Sequence, residues 1–431
     1  MAYSYTQEPP FSTPNFAGVY DPIVYVVYES SYASFSNFRY TVDLVVANPE
    51  GNNTIPTVKI YPNNVNYGVF ELGGLIKNYI KHDLLTNTDQ SIDEAPIFQS
   101  EEKALQSRIG IAKVTATFGY VYDNSEGVEQ TVVQDSVNKE FFCVPGFFSD
   151  EFGNRQTWTT SSYSLGTTDK KFLSLVSEQT VANKDFAILT FINDVNTGNT
   201  DSGDIVRYNE YDSSDTLLDT NVYDISSIAG TSALIRRKLI HIPAGPGNID
   251  AYLTLNANTA YYTVDITTTS PYTPKTEAYK FTLKSECQYT SERLVFANQY
   301  GGYDAISFFG NNSLETDEIE RETFMQYQGS TFNVDGGTPV DFNSYAEVGG
   351  EQTYNVNGTR TITLNTGTTD DTFNTLLKGL MRSPKVYLAT ASYLTPVQVV
   401  DSSIDYQTSI NEGTVSYTIK VRHAHKLQSF V

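Results

Sequence analysis

His423 and His425 stand at i and i+2 in a run of alternating residues, so on a strand both imidazoles point to one face. With a third ligand, His241 or a carboxylate, such a pair could hold Zn or Ni. No Cys or Glu stands at ligand spacing beside them, and the preferred reading is two ordinary histidines at a strand end. Asp194, Asn196, Asp201 and Asp204 crowd one loop and could offer oxygens to calcium. The register departs from the EF-hand pattern, because Gly198 stands where Asp or Asn is needed and no Glu closes the loop. A polar turn is the simpler reading. The carboxylate pairs Asp93/Glu94, Asp317/Glu318 and Asp370/Asp371 are each adjacent in sequence. Neighbouring side chains rarely converge at the ~5–9 Å used in glycoside hydrolysis, although acids could still be assembled from distant strands. No Gly-x-Ser-x-Gly elbow, Walker loop or dinucleotide fingerprint occurs. In Pro243-Ala-Gly-Pro-Gly the prolines remove donors that a phosphate cradle would need. No catalytic, cofactor-binding or metal-ligating residue is therefore assigned, and no cofactor is expected.

Scarcity is part of that result. The chain has 31 Tyr and 24 Phe, but four His, two Cys and one Trp. Trp158 and the tyrosines could line a sugar-binding groove, yet large aromatics more often fill cores and subunit interfaces. Cys143 and Cys287, with no framework pattern around them, read as reduced buried thiols. The net charge of −22 argues against nucleic acid and anionic membranes, since phosphate backbones are bound through Lys and Arg. It favours solubility at high local concentration. No apolar run approaches the ~18–20 residues of a membrane-spanning helix, so membrane insertion is not expected. The N-terminal decapeptide lacks a basic stretch followed by an apolar core, which predicts synthesis in a bacterial cytoplasm without export through a signal peptide.

What must position these residues is a set of strands. Tyr, Phe, Thr and Val suit a pleated, half-buried surface, and clusters of Asn, Asp, Ser and Gly supply turns. Strands are expected at 23–28, 38–46, 58–61, 109–122, 187–192, 205–211, 252–255, 261–266, 279–283, 294–297, 305–309, 385–388, 397–400, 404–406 and 415–421. A short acidic stretch, Glu315–Glu322, is left without an element. Leu72, Leu75, Ile76, Tyr79 and Ile80 break the alternation with helical spacing, predicting an amphipathic helix over about 70–82. A second helix is expected over about 369–382, with a capping-box pattern at Thr368–Asp371, an apolar face of Phe373, Leu376, Leu377 and Leu380, and a stop at Pro384. The fold class is all-β, mainly antiparallel β-sandwich domains with two short amphipathic helices. The chain divides into an extended Pro- and aromatic-rich arm, 1–19, laid on a neighbouring subunit or without fixed structure, then β-rich units at 20–145, 146–284 and 285–431.

Three stretches carry a resemblance. Ser291-Glu-Arg-Leu-Val-Phe-Ala-Asn-Gln-Tyr-Gly-Gly-Tyr-Asp-Ala-Ile-Ser-Phe308 resembles the pattern RLVFLN-x-x-GG-[YFW]-D-x-x-x-F of virion structural proteins from tailed phages infecting Bacteroidetes-type hosts. Tyr61–Tyr79, with Tyr67-Gly-Val-Phe-Glu71, is similar to that group's P-N-x-x-x-x-YGVFD-[IL]-x-x-[IL] segment. Ser383–Leu388 followed by Pro396–Ser403 is similar to its SP-x-VY…PV-x-[VI]-x-DSS ending. The chain departs at Ala297, where the pattern has Leu, and at Glu71, where it has Asp. The resemblance implies a structural role in the virion, in the tail, baseplate or collar. Its implied partners are copies of itself, in a trimer or hexamer for example, and other tail proteins. It brings no catalytic residue. Two rivals stay open: a tail-tip protein binding a receptor or host surface glycan, and an envelope polysaccharide depolymerase.

Overall fold

The computed structural model describes residues 3–9, 16–82, 105–107, 109–134, 139–148, 164–165, 170–194, 203–226, 237–249, 253–284, 289–310, 314–326, 330–335, 338–344, 350–369, 373–389, 394–401, 403–406, 415–425 and 427–429. The fold is all-β, in mostly antiparallel sheets, and no helix among the described residues is long and apolar enough to cross a membrane.

In the first third, Val24–Glu29 runs between Tyr3–Gln7 and Gly68–Glu71 in a three-stranded sheet. A second sheet is ordered Phe16–Gly18, Lys139–Val144, Ala112–Asp123, Ser36–Asn48, Gly51–Ile60, with Glu129–Val133 also paired to Ala112–Asp123. Tyr25, Tyr40, Phe70, Phe118 and Phe141 pack in one buried cluster drawn from both sheets. Tyr5 meets Phe118 edge-on, with ring centroids 5.5 Å apart, a favoured aromatic geometry. Tyr3–Gln7 and Phe16–Gly18 are therefore strands of this chain's own sheets, where an arm laid on a neighbouring subunit or without fixed structure was expected. Tyr3 and Tyr5 gain more by burying their rings on this aromatic core than an unattached arm could. The expected helix over about 70–82 contracts to α1, Gly73–Ile76. Its apolar face is as read, with Leu72, Ile76 and Ile80 fully buried. Two adjacent glycines, 73 and 74, are poor helix formers and leave little beyond one turn.

In the middle third, Ser164–Leu165, Ile188–Asp194, Arg237–Pro243 and Leu105–Gln106 form one sheet. Glu178–Val181, Tyr279–Leu283, Tyr261–Thr267, Ile205–Tyr211 and Leu217–Asp224 form the other. Their shared core holds Phe191, Ile240, Tyr208, Tyr262 and Phe281. The Tyr208 hydroxyl donates to the Pro243 carbonyl at 2.7 Å and the Tyr262 hydroxyl to that of Ala244 at 2.7 Å. Both polar tips thus stay satisfied while the rings are buried. A one-turn helix, α2 (Pro246–Ile249), follows Pro243. The strand expected at 252–255 is absent over Leu253–Leu255, which are irregular, and Tyr252 lies outside the described residues.

The last third is an eight-stranded sheet, ordered Tyr303–Phe308, Glu292–Ala297, Val386–Ala389, Leu394–Val399, Thr418–His423, Gly350–Asn365, Leu314–Gln326, with Leu427–Ser429 also paired to Gly350–Asn365. Helix α3, Phe373–Arg382, lays Leu376, Leu377 and Leu380 on the face formed by Leu294, Phe296, Ile306 and Phe308. The capping residues Asp370 and Asp371 lie outside the described residues. Ile404–Tyr406 is irregular rather than a strand. The acidic stretch is part of a long strand, Leu314–Gln326, paired with Gly350–Asn365, and a hairpin of Ser330–Asp335 with Thr338–Ser344 lies between them in sequence.

Candidate functional site

The expected chemistry disperses in three dimensions. Strand Thr418–His423 ends at His423, and His425 lies in the bend beyond, so the two do not share a strand face. His241 is buried in a different sheet, its Nδ1 2.9 Å from Thr190 Oγ1. Among the described residues no three His, Cys, Asp or Glu gather where they could hold a metal. Asp194 ends one strand and Asp204 precedes another, while Asn196 and Asp201 lie outside the described residues, as do Trp158, Cys287, Asp93 and Glu94. Asp317 and Glu318 occupy successive strand positions and point to opposite faces. Arg360 donates to Asp317 at 2.9 Å and holds its carboxyl below the ordinary range. Cys143 is buried, and burial pushes its thiol well up, which makes it unreactive.

The residues that do converge lie on the Ser291–Phe308 stretch. Strands Glu292–Ala297 and Tyr303–Phe308 pair across a tight turn in which Gly301 has φ +88°. Asn298 organises that turn. Its Oδ1 accepts from the Tyr300 and Gly302 amides, and its Nδ2 donates to the Leu173 carbonyl at 2.7 Å and to Asp304 at 2.9 Å. A Cβ on Gly302 would stand 2.2 Å from the Leu173 oxygen, so only glycine lets the two backbones approach. Asp304 accepts further bonds from the Leu175 amide at 3.0 Å and from Ser174 Oγ. Burial lifts its carboxyl to about 6, although the Ser174, Leu175 and Asn298 donors oppose the rise. The Phe147 amide donates to the Gln299 carbonyl at 2.6 Å and the Phe148 ring stacks on Tyr300, while from the first third Val144 and Pro145 lie against Gly301, each 3.3 Å from where its Cβ would stand. All three parts of the chain meet at this turn.

Arg293 continues the seam. It is 2% exposed and donates through Nε to the Phe186 carbonyl at 2.7 Å, and through its terminal nitrogens to Ser307 Oγ at 2.5 Å and Gln179 Oε1 at 2.8 Å. Asp185, itself buried, lies 3.8 Å away and accepts from Ser291, Ser307 and the Ala182 amide. Register explains the arrangement, because Arg293 stands directly opposite Ser307 and both face the middle third. Such a carboxylate–guanidinium seam is satisfied on every side. Its chemistry is to fix one sheet against another, and the hydroxyls of Ser174 and Ser307 are engaged in holding Asp304 and Asp185. None of these groups belongs to a catalytic motif legible in the sequence. The signal was present nonetheless: an arginine and an aspartate inside strands whose other residues are almost all apolar.

Beside the seam, a groove of about 470 Å³ runs between Glu178–Val181 and α3, with Thr180, Thr282, Thr366 and Thr369 around Phe309 and Phe373. No family model and no curated protein matches the chain. Among solved structures, it is similar to trypsin-activated alpha-2-macroglobulin from Escherichia coli, at 8% identity and TM-score 0.19, over 86% of this chain and 23% of that one. It is also similar to the native conformation of the E. coli protein, at 10% identity and TM-score 0.19, over 84% and 21% of the two chains. The Bacillus anthracis TIE protein aligns over 71% of this chain and 67% of its own, at 8% identity and TM-score 0.12. Likenesses this weak carry no activity over to this chain.

Proposed function

We propose that this chain is a structural component of a tailed-phage virion, in the tail, baseplate or collar, and that it acts by assembly rather than catalysis. The place in a virion comes from the resemblance of the three stretches. The observation that carries assembly is the Leu314–Gln326 strand. It forms the outer edge of an eight-stranded sheet and is exposed at every position from Glu315 to Met325. Long free edges are hazards for a solitary protein, and an assembled neighbour removes the hazard. Buried seams that lock the three parts of the chain together suit a rigid building block. Immunogold labelling of intact particles tests the reading: label at one fixed level of the tail is expected, and particles without label overturn it.

A second reading, a tail-tip protein that binds host glycan, draws on the threonine-lined groove with Phe309 and Phe373 in its walls. Hydroxyls beside an aromatic surface suit a sugar ring. A glycan array with wild-type protein and Phe373→Ala tests it, the expected result being one glycan class whose signal falls in the variant.

A further inference from the structure

Among the described residues, the outer half of the Leu314–Gln326/Gly350–Asn365 ribbon leaves its apolar side chains facing water. Ile319 is 51% exposed, Phe324 47%, Met325 77% and Tyr354 60%. A two-stranded ribbon without a packed face is marginal in water, and exposed apolar groups clustered on one element mark a contact surface. Tyr354 occupies a bulge, the extra residue between the Glu322–Asn355 and Thr323–Thr353 pairs. Bulges re-aim side chains, and here the Tyr354 and Phe324 rings stand 6.1 Å apart. The Leu314–Gln326 strand also carries five carboxylates, Glu315, Asp317, Glu318, Glu320 and Glu322, against one arginine. Glu318, Glu320 and Glu322 share a face by alternation.

A surface of opposite character lies on the middle third. An open groove of about 620 Å³ beside α2 is walled by Pro246, Leu253, Leu255 and Leu283 and flanked by Lys184 and Lys284. Both lysines are exposed, and among the described residues no carboxylate lines the groove. Glu210, behind its wall, is buried and accepts from the Asn256 amide and the Thr259 hydroxyl, so it does not neutralise the lysines.

We propose that the ribbon of one copy docks in the lysine-flanked groove of the next, with Phe324 and Tyr354 on the leucine wall and Glu318, Glu320 and Glu322, on the same face as Phe324, against Lys184 and Lys284. This inference rests on the assembly reading and gives it a geometry. The two surfaces differ, so the contact is heterologous and propagates head to tail, into a ring if the rotation closes and a filament if it does not. The chain's net negative charge opposes unspecific self-association, which leaves a locally complementary pair as the contact that survives.

Sedimentation velocity on the full chain, over the micromolar range, tests the proposal with two variants. One is Phe324→Ser with Tyr354→Ser; the other is Lys184→Glu with Lys284→Glu. All four positions are exposed, and unchanged Tm verifies the fold. Wild type should associate beyond the dimer, and each variant should associate at least about tenfold more weakly. Mixed in equal amounts, the two variants should form a capped heterodimer and stop there, because one intact ribbon and one intact groove remain. Wild-type assembly that both variants share unchanged would overturn the contact while leaving the assembly reading standing. A monomeric wild type, or a mixture that stays monomeric, overturns it too. Binding of both variants to a basic tail protein at wild-type strength, without self-association, would assign the ribbon a different occupant and equally sink the proposal. Particle labelling decides the virion reading independently of every one of these results.

Discussion

Asp304 shows how much one buried carboxyl can decide. Its folded pKa is raised to about 6 by burial, above the ~3.9 of an unfolded aspartate. Between those values the folded chain keeps a proton that the unfolded chain has released. Its contribution to stability is therefore full below about pH 4 and declines as pH rises through about 6, by an amount on the order of 3 kcal/mol. Asp304→Asn does not titrate and removes this slope. Measured by urea unfolding, the advantage of wild type over D304N should be greatest near pH 4 and shrink toward neutrality; a constant difference would refute the assignment. Arg293 makes the complementary case. Burial lowers its pKa, yet it holds Asp185, Ser307, Gln179 and the Phe186 carbonyl together. Arg293→Ala leaves Asp185 buried without its counter-charge, and a loss of about 3–5 kcal/mol in urea unfolding is expected.

At the scale of elements, the turn between Glu292–Ala297 and Tyr303–Phe308 is the part least tolerant of change. Gly302→Ala would place a methyl against the Leu173 backbone oxygen, which no side-chain rotation relieves. Destabilisation of about 1–3 kcal/mol is expected, read as a lowered Tm. Gly127, with φ +75° and open space around it, should tolerate alanine better, at the cost of backbone strain alone. Helix α3 behaves differently because Gly379 makes room: Leu175 of the middle third reaches it and Phe296, so the helix clamps a segment from elsewhere in the chain.

For the whole molecule, the three parts are tied too closely to unfold independently. Leu105–Gln106 belongs by sequence to the first third but completes a sheet of the middle third. Phe186 and Ile188 pack with Val295, Tyr303 and Tyr387, and Phe16 and Val144 pack with Ile192 and Leu239. Calorimetry should show one cooperative transition in wild type, separating into two or more when Asn298→Ala cuts the bonds at the shared turn. Independent transitions in wild type would show that these contacts are too weak to couple the cores.

Local chemistry wrote much of this into the chain. Alternation in Phe38–Val46, Ile205–Tyr211 and Tyr279–Leu283 specified strands, because a period of two can bury one face only in a sheet. Helical spacing located the buried faces of both helices, though not the early end of α1. The sequence did not reveal the ribbon, since this strand is exposed at every position from Glu315 to Met325 and has no periodicity to read. Nor did it reveal the seam, because Arg293 and Asp185 stand 3.8 Å apart yet far apart along the chain. Local preference chooses strands and turns; only the packing of distant segments decides which charges must be neutralised in the dark and which apolar groups are left facing water.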